Sequence, residues 1–94
     1  MIRHIVPFRL KHAKGSTEEA AFLAANRTLS SIPGVEQFEL LRQISPKNNF
    51  DFCVLMAFAD QAAYQAYNNH PDHIAFVQTR WLPEVADFME IDLT

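Results

Sequence analysis

The chain has 94 residues, a formal charge of -3, 49% hydrophobic residues and 20% charged residues. This length provides one domain with a modest core, which would bury about 65% of the surface exposed in the unfolded chain. The composition is that of a folded globular protein rather than a disordered or fibrous one, and without a run of basic residues it argues against a nucleic-acid partner.

The first third of the chain predicts a strand followed by a helix. Residues Ile2 to Lys11 alternate between two faces, as in a strand. Ser16 and Glu19 have the spacing of a capping box, in which two side chains satisfy free amides at the start of a helix. The helix would present one apolar stripe to a sheet before Pro33-Gly34 ends it, and the stripe contains Phe22, Ala25, Leu29 and Ile32.

Two further strands follow as a predicted hairpin. Val35 to Gln43 predicts the second strand, and Ser45 to Asn49 supplies the polar residues of a turn. The third strand runs from Phe50 to Phe58 and is apolar on both faces. One face carries Phe52, Val54, Met56 and Phe58, and the other carries Cys53, Leu55 and Ala57. Such a strand is expected to be buried on both sides.

The last third predicts a second helical region and a final strand. Asp60 to Asn69 has the cap and composition of a helix, and the proline after His70 disfavours helical geometry there. Asp72 would restart the helix, which continues from Ile74 to Leu82. Val85 to Leu93 alternates as a last strand. The predicted order is therefore β-α-β-β-α-β.

This order is that of the ferredoxin-like fold of the α+β class, in which two helical regions cover one face of a four-stranded antiparallel sheet. A chain of this length has no element left to cover the Cys53, Leu55 and Ala57 side of the third strand. We therefore expect a homodimer in which two sheets pack face to face about a twofold axis, as a dimeric α/β barrel. A monomer with a half-solvated sheet is the alternative.

Pro7 is the one residue of the first strand that conflicts with this fold. The first strand is central, and proline lacks the amide that a central strand donates to its neighbour. The sequence therefore predicts either a bulge at Pro7 or a register shifted by one residue.

The single cysteine and the N-terminus bear on the cellular compartment. Cys53 cannot form an internal disulfide, and its apolar neighbours suggest a buried, unreactive thiol. The N-terminus enters the first strand without the apolar segment of a signal peptide, and no stretch approaches membrane-spanning length. We expect one cytoplasmic domain over residues 1–94, with no membrane partner.

Several segments of the chain together resemble the stress-responsive α/β-barrel (Dabb) domain family. They are Ile2 to Lys11, Ile32-Pro33-Gly34-Val35, Phe50-Asp51-Phe52, Tyr67 to His73, and Asp92. The most specific part is the strand-one histidine together with Tyr-x-x-His-Pro-x-His. The resemblance covers essentially the whole chain and implies the dimeric barrel. It implies little about activity, because most members have no assigned reaction.

One branch similar to this family is a plant polyketide cyclase that performs an aldol closure without a metal or organic cofactor. The resemblance implies His4, Tyr67 and His73 as catalytic residues, and it gives His70 no catalytic role. The first helix departs from the cyclase, because Ala21 and Ala25 replace bulky aromatic residues. The resemblance therefore does not extend to the identity of the substrate.

These three residues suit acid-base chemistry. An imidazole exchanges a proton near neutral pH, and a tyrosine hydroxyl can donate a hydrogen bond to a developing enolate. Both functions are needed for an aldol closure, provided that the three side chains meet in one cavity. The alternative is purely structural, with His4 in the core, Tyr67 on an amphipathic helix and His73 in a helix-breaking joint.

The expected pocket residues are Phe22, Val54, Met56, His70 and Phe76, with Tyr64 as core or pocket wall. His70 and His73 are three residues apart, but Pro71 breaks the helix that would place them on one face. No cysteine or paired carboxylate completes a ligand set, so we predict no metal and no cofactor. Two functions remain open: a cofactor-independent enzyme acting on a small apolar carbonyl compound, or a non-catalytic barrel that stores or senses a small molecule.

Overall fold

The computed structural model describes all residues from Met1 to Thr94. The strands are β1 (Ile2–Leu10), β2 (Glu36–Arg42), β3 (Phe52–Phe58), β4 (Val85–Phe88) and β5 (Ile91–Leu93). The α-helices are α1 (Thr17–Arg27), α2 (Gln61–Asn68), α3 (Pro71–Phe76) and α4 (Leu82–Glu84). A 3₁₀ turn (Thr28–Ser31) follows α1, and a π-helical turn (Val77–Trp81) joins α3 to α4. The predicted ferredoxin-like order is confirmed.

The sheet is antiparallel with the order β2-β3-β1-β4, and β5 pairs with β1 on the same edge as β4. On one side of β1, His4 lies opposite Met56 of β3. On the other side, Phe8 lies opposite Phe88 of β4 and His4 lies opposite Asp92 of β5. The expected four-stranded sheet is therefore corrected to five strands, because the predicted last strand is divided in two.

Pro7 explains this division. The Met89 N–H donates to the Pro7 carbonyl at 3.0 Å, but Pro7 has no N–H to donate in return. The hydrogen-bond ladder is consequently interrupted between β4 and β5, whereas Pro7 stays in register with Cys53 of β3. The irregularity on this edge lies between Arg9 and Leu10. The central proline is thus accommodated by a gap at the sheet edge, and the β1–β3 register is unchanged.

Helix α1 begins at the predicted cap and ends earlier than expected. Ser16 Oγ accepts the Glu19 N–H at 3.1 Å, and the Glu19 carboxylate accepts the Gly15 N–H at 3.2 Å. The regular helix ends at Arg27, and the 3₁₀ turn leads to Gly34, whose φ of 90° favours glycine. The buried side of α1 carries Glu19, Phe22 and Asn26. Ala25, expected in that stripe, is only half-buried.

His70, rather than Asp72, starts α3. The His70 Nδ1 accepts the Asp72 N–H at 3.1 Å, and Pro71 takes the first helical position, where no N–H is required. Helical geometry then continues past Leu82 to Glu84 and includes the π-helical turn. Turns of this kind are rare and are frequently found at functional sites.

The helices cover one face of the sheet. The predicted inward side of β3 is confirmed, since Phe52, Val54, Met56 and Phe58 are all buried, and β1 contributes His4, Val6, Phe8 and Leu10 to the same layer. The opposite face has no cover within this chain. It carries the half-buried Ile5, Cys53 and Leu55 and the exposed Leu41 and Leu93. No helix is long and apolar enough to cross a membrane.

Candidate functional site

A cavity of about 240 Å³ lies between the sheet and the helices that cover it. Its wall is mostly apolar and includes Val6, Leu29, Val54, Met56, Phe76, Val77, Trp81, Leu82 and Phe88. Its polar groups come from five different segments and are His4, Asn26, Tyr67, His73 and Glu90. An apolar wall with a few convergent polar groups is typical of small-molecule sites. The volume suits a molecule of ring size, since an engineered cavity of about 150 Å³ accepts benzene.

His4 is held through its Nδ1 edge. Nδ1 lies 2.6 Å from Asp92 Oδ1 and 2.8 Å from the Tyr64 hydroxyl, which also lies 3.0 Å from both Asp92 carboxylate oxygens. Because a carboxylate can only accept, it fixes the proton of the neutral ring on Nδ1 and makes Nε2 an acceptor. Nε2 has no partner in the chain and is therefore the nitrogen available to a ligand.

His73 is held in a similar way. Its Nδ1 lies 3.2 Å from the Asn68 carbonyl, to which it donates, so Nε2 is again the free acceptor. Burial lowers the pKa of His73, an effect opposed by the Asn68 hydrogen bond and by Glu90 and reinforced by the neighbouring His4. An imidazole that favours the neutral form is available as a base at neutral pH.

Tyr67 packs directly on His73. Their ring centroids are 4.4 Å apart with the planes tilted by 46°, and the Tyr67 ring also lies 5.1 Å from that of Phe58. Burial raises the pKa of Tyr67, and the negative charge of Glu90 adds to this effect. The phenol therefore keeps its proton at neutral pH. Its hydroxyl has no partner in the chain, so it is a free donor beside a free base.

Asn26 is the least expected polar group of the cavity. It is 0% exposed, and neither Oδ1 nor Nδ2 of its side chain has a hydrogen-bond partner. Burying an unpaired amide costs about 1–3 kcal/mol on the scale of protein substitutions. Buried polar side chains are nearly always paired, so a pair of free atoms in a cavity wall indicates a place for a ligand or for water.

Glu90 reaches the cavity from the gap that Pro7 opens between β4 and β5. Its negative charge contributes to raising the pKa of Tyr64, after burial and the Asp92 contact, and it acts in the same direction on Tyr67. Together with Asp92, it makes this edge of the cavity acidic. An acidic edge in a partly dry site disfavours an anionic ligand.

The structure brings His4, Tyr67 and His73 to one cavity, and three of the expected pocket residues, Val54, Met56 and Phe76, line it as well. Phe22 does not line it, because this side chain is fully buried behind the wall with its ring centroid 5.7 Å from that of Phe76. His70 does not line it either, because its ring caps α3.

Sequence reasoning assigned no site role to Asn26, Glu90 or Asp92, and it placed Tyr64 only in the core or the pocket wall. A signal for Asn26 was present, since this polar residue lies four positions after Phe22 on the buried side of α1. Asp92 carried part of the resemblance without a role. Nothing in the sequence pointed to Glu90. This residue reaches the cavity through the gap beside Pro7, and the alternation of apolar and polar residues does not predict that gap.

No group of three or more His, Cys, Asp or Glu side chains is placed to hold a metal ion. Cys53 is half-buried on the opposite face of the sheet. Burial raises the pKa of the Cys53 thiol, although a backbone hydrogen bond to Val6 acts against this effect. A raised pKa disfavours the reactive thiolate.

Residues 2–94 match the family model described as the stress responsive A/B barrel domain, Dabb. The chain belongs to the Dabb family. A Dabb family protein with a ferredoxin-like fold from Mesorhizobium loti is 60% identical to it, with a TM-score of 0.96 over 99% of this chain and 94% of that one. The resemblance read from the sequence is confirmed by this match.

More distant structures share the fold. A dimeric ferredoxin-like protein of unknown function from Thermobifida fusca is 25% identical, with a TM-score of 0.81 over 99% of this chain and 89% of that one. SnoaB, a cofactor-independent oxygenase from Streptomyces nogalater, is 14% identical, with a TM-score of 0.71 over 99% of this chain and 90% of that one. No curated protein matches the chain.

Proposed function

We propose that this Dabb protein is a homodimeric, cofactor-independent acid-base enzyme acting on a small, mostly apolar carbonyl compound. The observation that carries the proposal is the convergence of His4, Tyr67 and His73 on one apolar cavity. Each presents an atom without a partner in the chain: two imidazole nitrogens that accept and one phenol that donates. This is the set of groups that proton transfer next to a carbonyl requires.

The first step is enolisation of the bound carbonyl compound. Nε2 of His73 takes a proton from the carbon next to the carbonyl, and the electrons of that C–H bond form a C=C bond. The carbonyl π electrons move to oxygen, where the Tyr67 hydroxyl donates a hydrogen bond to the enolate. The low pKa of His73 keeps the base neutral before the reaction, and the raised pKa of Tyr67 keeps the donor protonated.

His4 serves a second proton transfer, in which Nε2 of the neutral ring takes a proton from the substrate and, as the imidazolium, later returns it. Its ring is fixed by Asp92 at Nδ1, and the carboxylate would stabilise the imidazolium that forms when Nε2 takes a proton. Tyr64 in turn donates to Asp92 and holds the carboxylate in place. The roles of His4, Tyr67 and His73 follow from the atoms that each leaves free.

The second candidate function is a non-catalytic barrel that binds a small molecule. The apolar wall favours it, since Trp81, Phe76 and Phe88 supply ring surfaces that would hold an apolar compound without chemistry. This alternative predicts binding without proton transfer.

The homodimer is supported by the uncovered face of the sheet. That face carries Ile5, Cys53 and Leu55 beside the exposed Leu41, an apolar surface with no cover from this chain. The relative from Thermobifida fusca is described as dimeric. Two such faces packed about a twofold axis would give an isologous interface, in which each residue meets the same patch on its partner.

Deuterium exchange at the methyl group of acetophenone tests the enzymatic function, because this compound has a ring that fits the cavity and a carbonyl with enolisable protons. We expect the wild type to accelerate exchange in D₂O over buffer, as measured by NMR. His73→Ala or Tyr67→Phe should lower the rate by about 10²-fold or more. Ser30→Ala, at an exposed position outside the cavity, is the matched control. Binding of acetophenone without accelerated exchange would favour the non-catalytic barrel.

A further inference from the structure

The carboxamide of Asn26 is a polar group of the cavity that proton transfer does not use. It is fully buried in the cavity wall, and both of its polar atoms lack a partner in the chain. Because Oδ1 accepts and Nδ2 donates, one ligand group that offers a donor and an acceptor side by side would satisfy both atoms.

We propose that Asn26 binds the ligand of this cavity through a paired hydrogen bond, so that the ligand is a neutral, ring-sized compound carrying an adjacent donor and acceptor. This inference names the substrate class of the proposed active site and rests on that proposal for the site. A primary carboxamide and a hydroxy-ketone both present this chemistry.

The charge of the cavity disfavours the anionic version of such a ligand. A carboxylate offers only acceptors and would leave the Asn26 Oδ1 unpaired. It would also approach Glu90, which lines the same cavity, and Asp92 beside His4. Both effects favour a neutral group over a carboxylate at this position.

A purely structural role does not account for Asn26. The position lies on the buried side of α1 between Phe22 and Leu29, where an apolar residue of similar size would leave no unpaired atoms. Replacing a buried polar group without partners by an apolar one is commonly neutral or stabilising. A polar residue kept at such a position is typical of sites where function opposes stability.

The test compares the affinities of benzamide, 2-hydroxy-1-phenylethanone and ethylbenzene, measured by NMR titration. Ethylbenzene is the matched probe without polar atoms. In Asn26→Leu, we expect the preference for benzamide or the hydroxy-ketone over ethylbenzene to fall at least about tenfold relative to the wild type. The polar probe whose affinity falls more in Asn26→Leu identifies the chemical group that Asn26 binds. Leu23→Met, a similar-volume change on α1 outside the cavity, should leave the preference unchanged.

Asn26→Ala provides a second variant for the same affinity measurements. We expect Asn26→Leu to remain folded, with a melting temperature at or above that of the wild type. A preference that changes less than twofold in both Asn26 variants would overturn the inference and leave water as the only partner of Asn26. So would a wild type that binds ethylbenzene but neither polar probe. Since the readout is affinity, this failure is distinct from a failure of acetophenone exchange, which would overturn the proposed reaction and leave the Asn26 contact standing.

Discussion

Asp92 Oδ1 lies 2.6 Å from Nδ1 of His4, although the two residues are 88 positions apart in the chain. The contact spans the pairing of β5 with β1, in which the two residues lie directly opposite one another. The interrupted ladder at Pro7 separates this pair from β4, so the short strand β5 is the element that delivers Asp92 to His4. The last strand therefore contributes to the candidate site as well as to the sheet.

Replacing Asp92 with Asn should shift the neutral His4 ring to its other tautomer. The amide can donate to Nδ1, which would move the ring proton to Nε2 and remove the acceptor that faces the ligand. We expect acetophenone exchange to slow by about tenfold or more, and ¹⁵N imidazole spectra to show the Nε2–H form of His4. Asp87→Asn, an exposed change on β4, is the matched control. An unchanged tautomer and an unchanged rate would contradict the role given to Asp92.

The buried His73 should make the protein less stable in mild acid. Since its folded pKa is lowered, the neutral ring contributes stability that is fully present above the unfolded value of about 6.5 and is lost as pH falls through the folded pKa. We expect the wild type to lose more unfolding free energy between pH 7 and pH 5 than His73→Gln does, in urea titrations. Equal losses in the two proteins would show that His73 titrates as an exposed histidine.

A charge on the uncovered face of the sheet should disrupt the dimer. Leu55 is half-buried on that face, and Leu55→Asp would place an unpaired charge in the interface. We expect monomer or aggregate in sedimentation experiments at micromolar concentration, where the wild type sediments as a dimer. Ile44→Asp, at a position 90% exposed after β2, is the matched control and should remain dimeric. A monomeric wild type would contradict the face-to-face assembly.

Chelation should leave the melting temperature unchanged, because a structural ion would contribute directly to the folding free energy. His70, half of the histidine pair considered from the sequence, instead caps α3. The measurement is thermal unfolding before and after exhaustive treatment with EDTA. A clear fall in the melting temperature that added zinc reverses would favour His70 and His73 as metal ligands and contradict this prediction.

Much of the fold follows from local patterns. The alternation of β1 and β3 and the caps at Ser16 and Asp60 predict elements that the structure places within a few residues. The divided last strand does not follow, because the gap depends on which edge of β1 the Pro7 nitrogen faces. The π-helical turn does not follow either, because apolar spacing does not distinguish a π-helical turn from an α-helical one.

Part of the candidate site could be predicted from the sequence. His4, Tyr67 and His73 were identified as candidates through the resemblance to the Dabb family, and the structure places their side chains in one cavity. Asn26 and Asp92 were not, because their roles depend on partners that only the tertiary structure supplies or withholds. An asparagine within an amphipathic helix is ordinary in a sequence, and its two unpaired atoms are visible only in the packed core.

The most direct test of the account is the pH dependence of acetophenone exchange, measured together with the NMR titration of the His73 ring. If neutral His73 is the base, the rate should fall on the acid side with the same midpoint as the His73 titration, below about 6.5, and that limb should vanish in His73→Ala. An enzyme-dependent rate that falls at a different pH, or that keeps its acid limb in His73→Ala, would contradict the assignment of the base. Exchange no faster than buffer at every pH would contradict the enzymatic function itself.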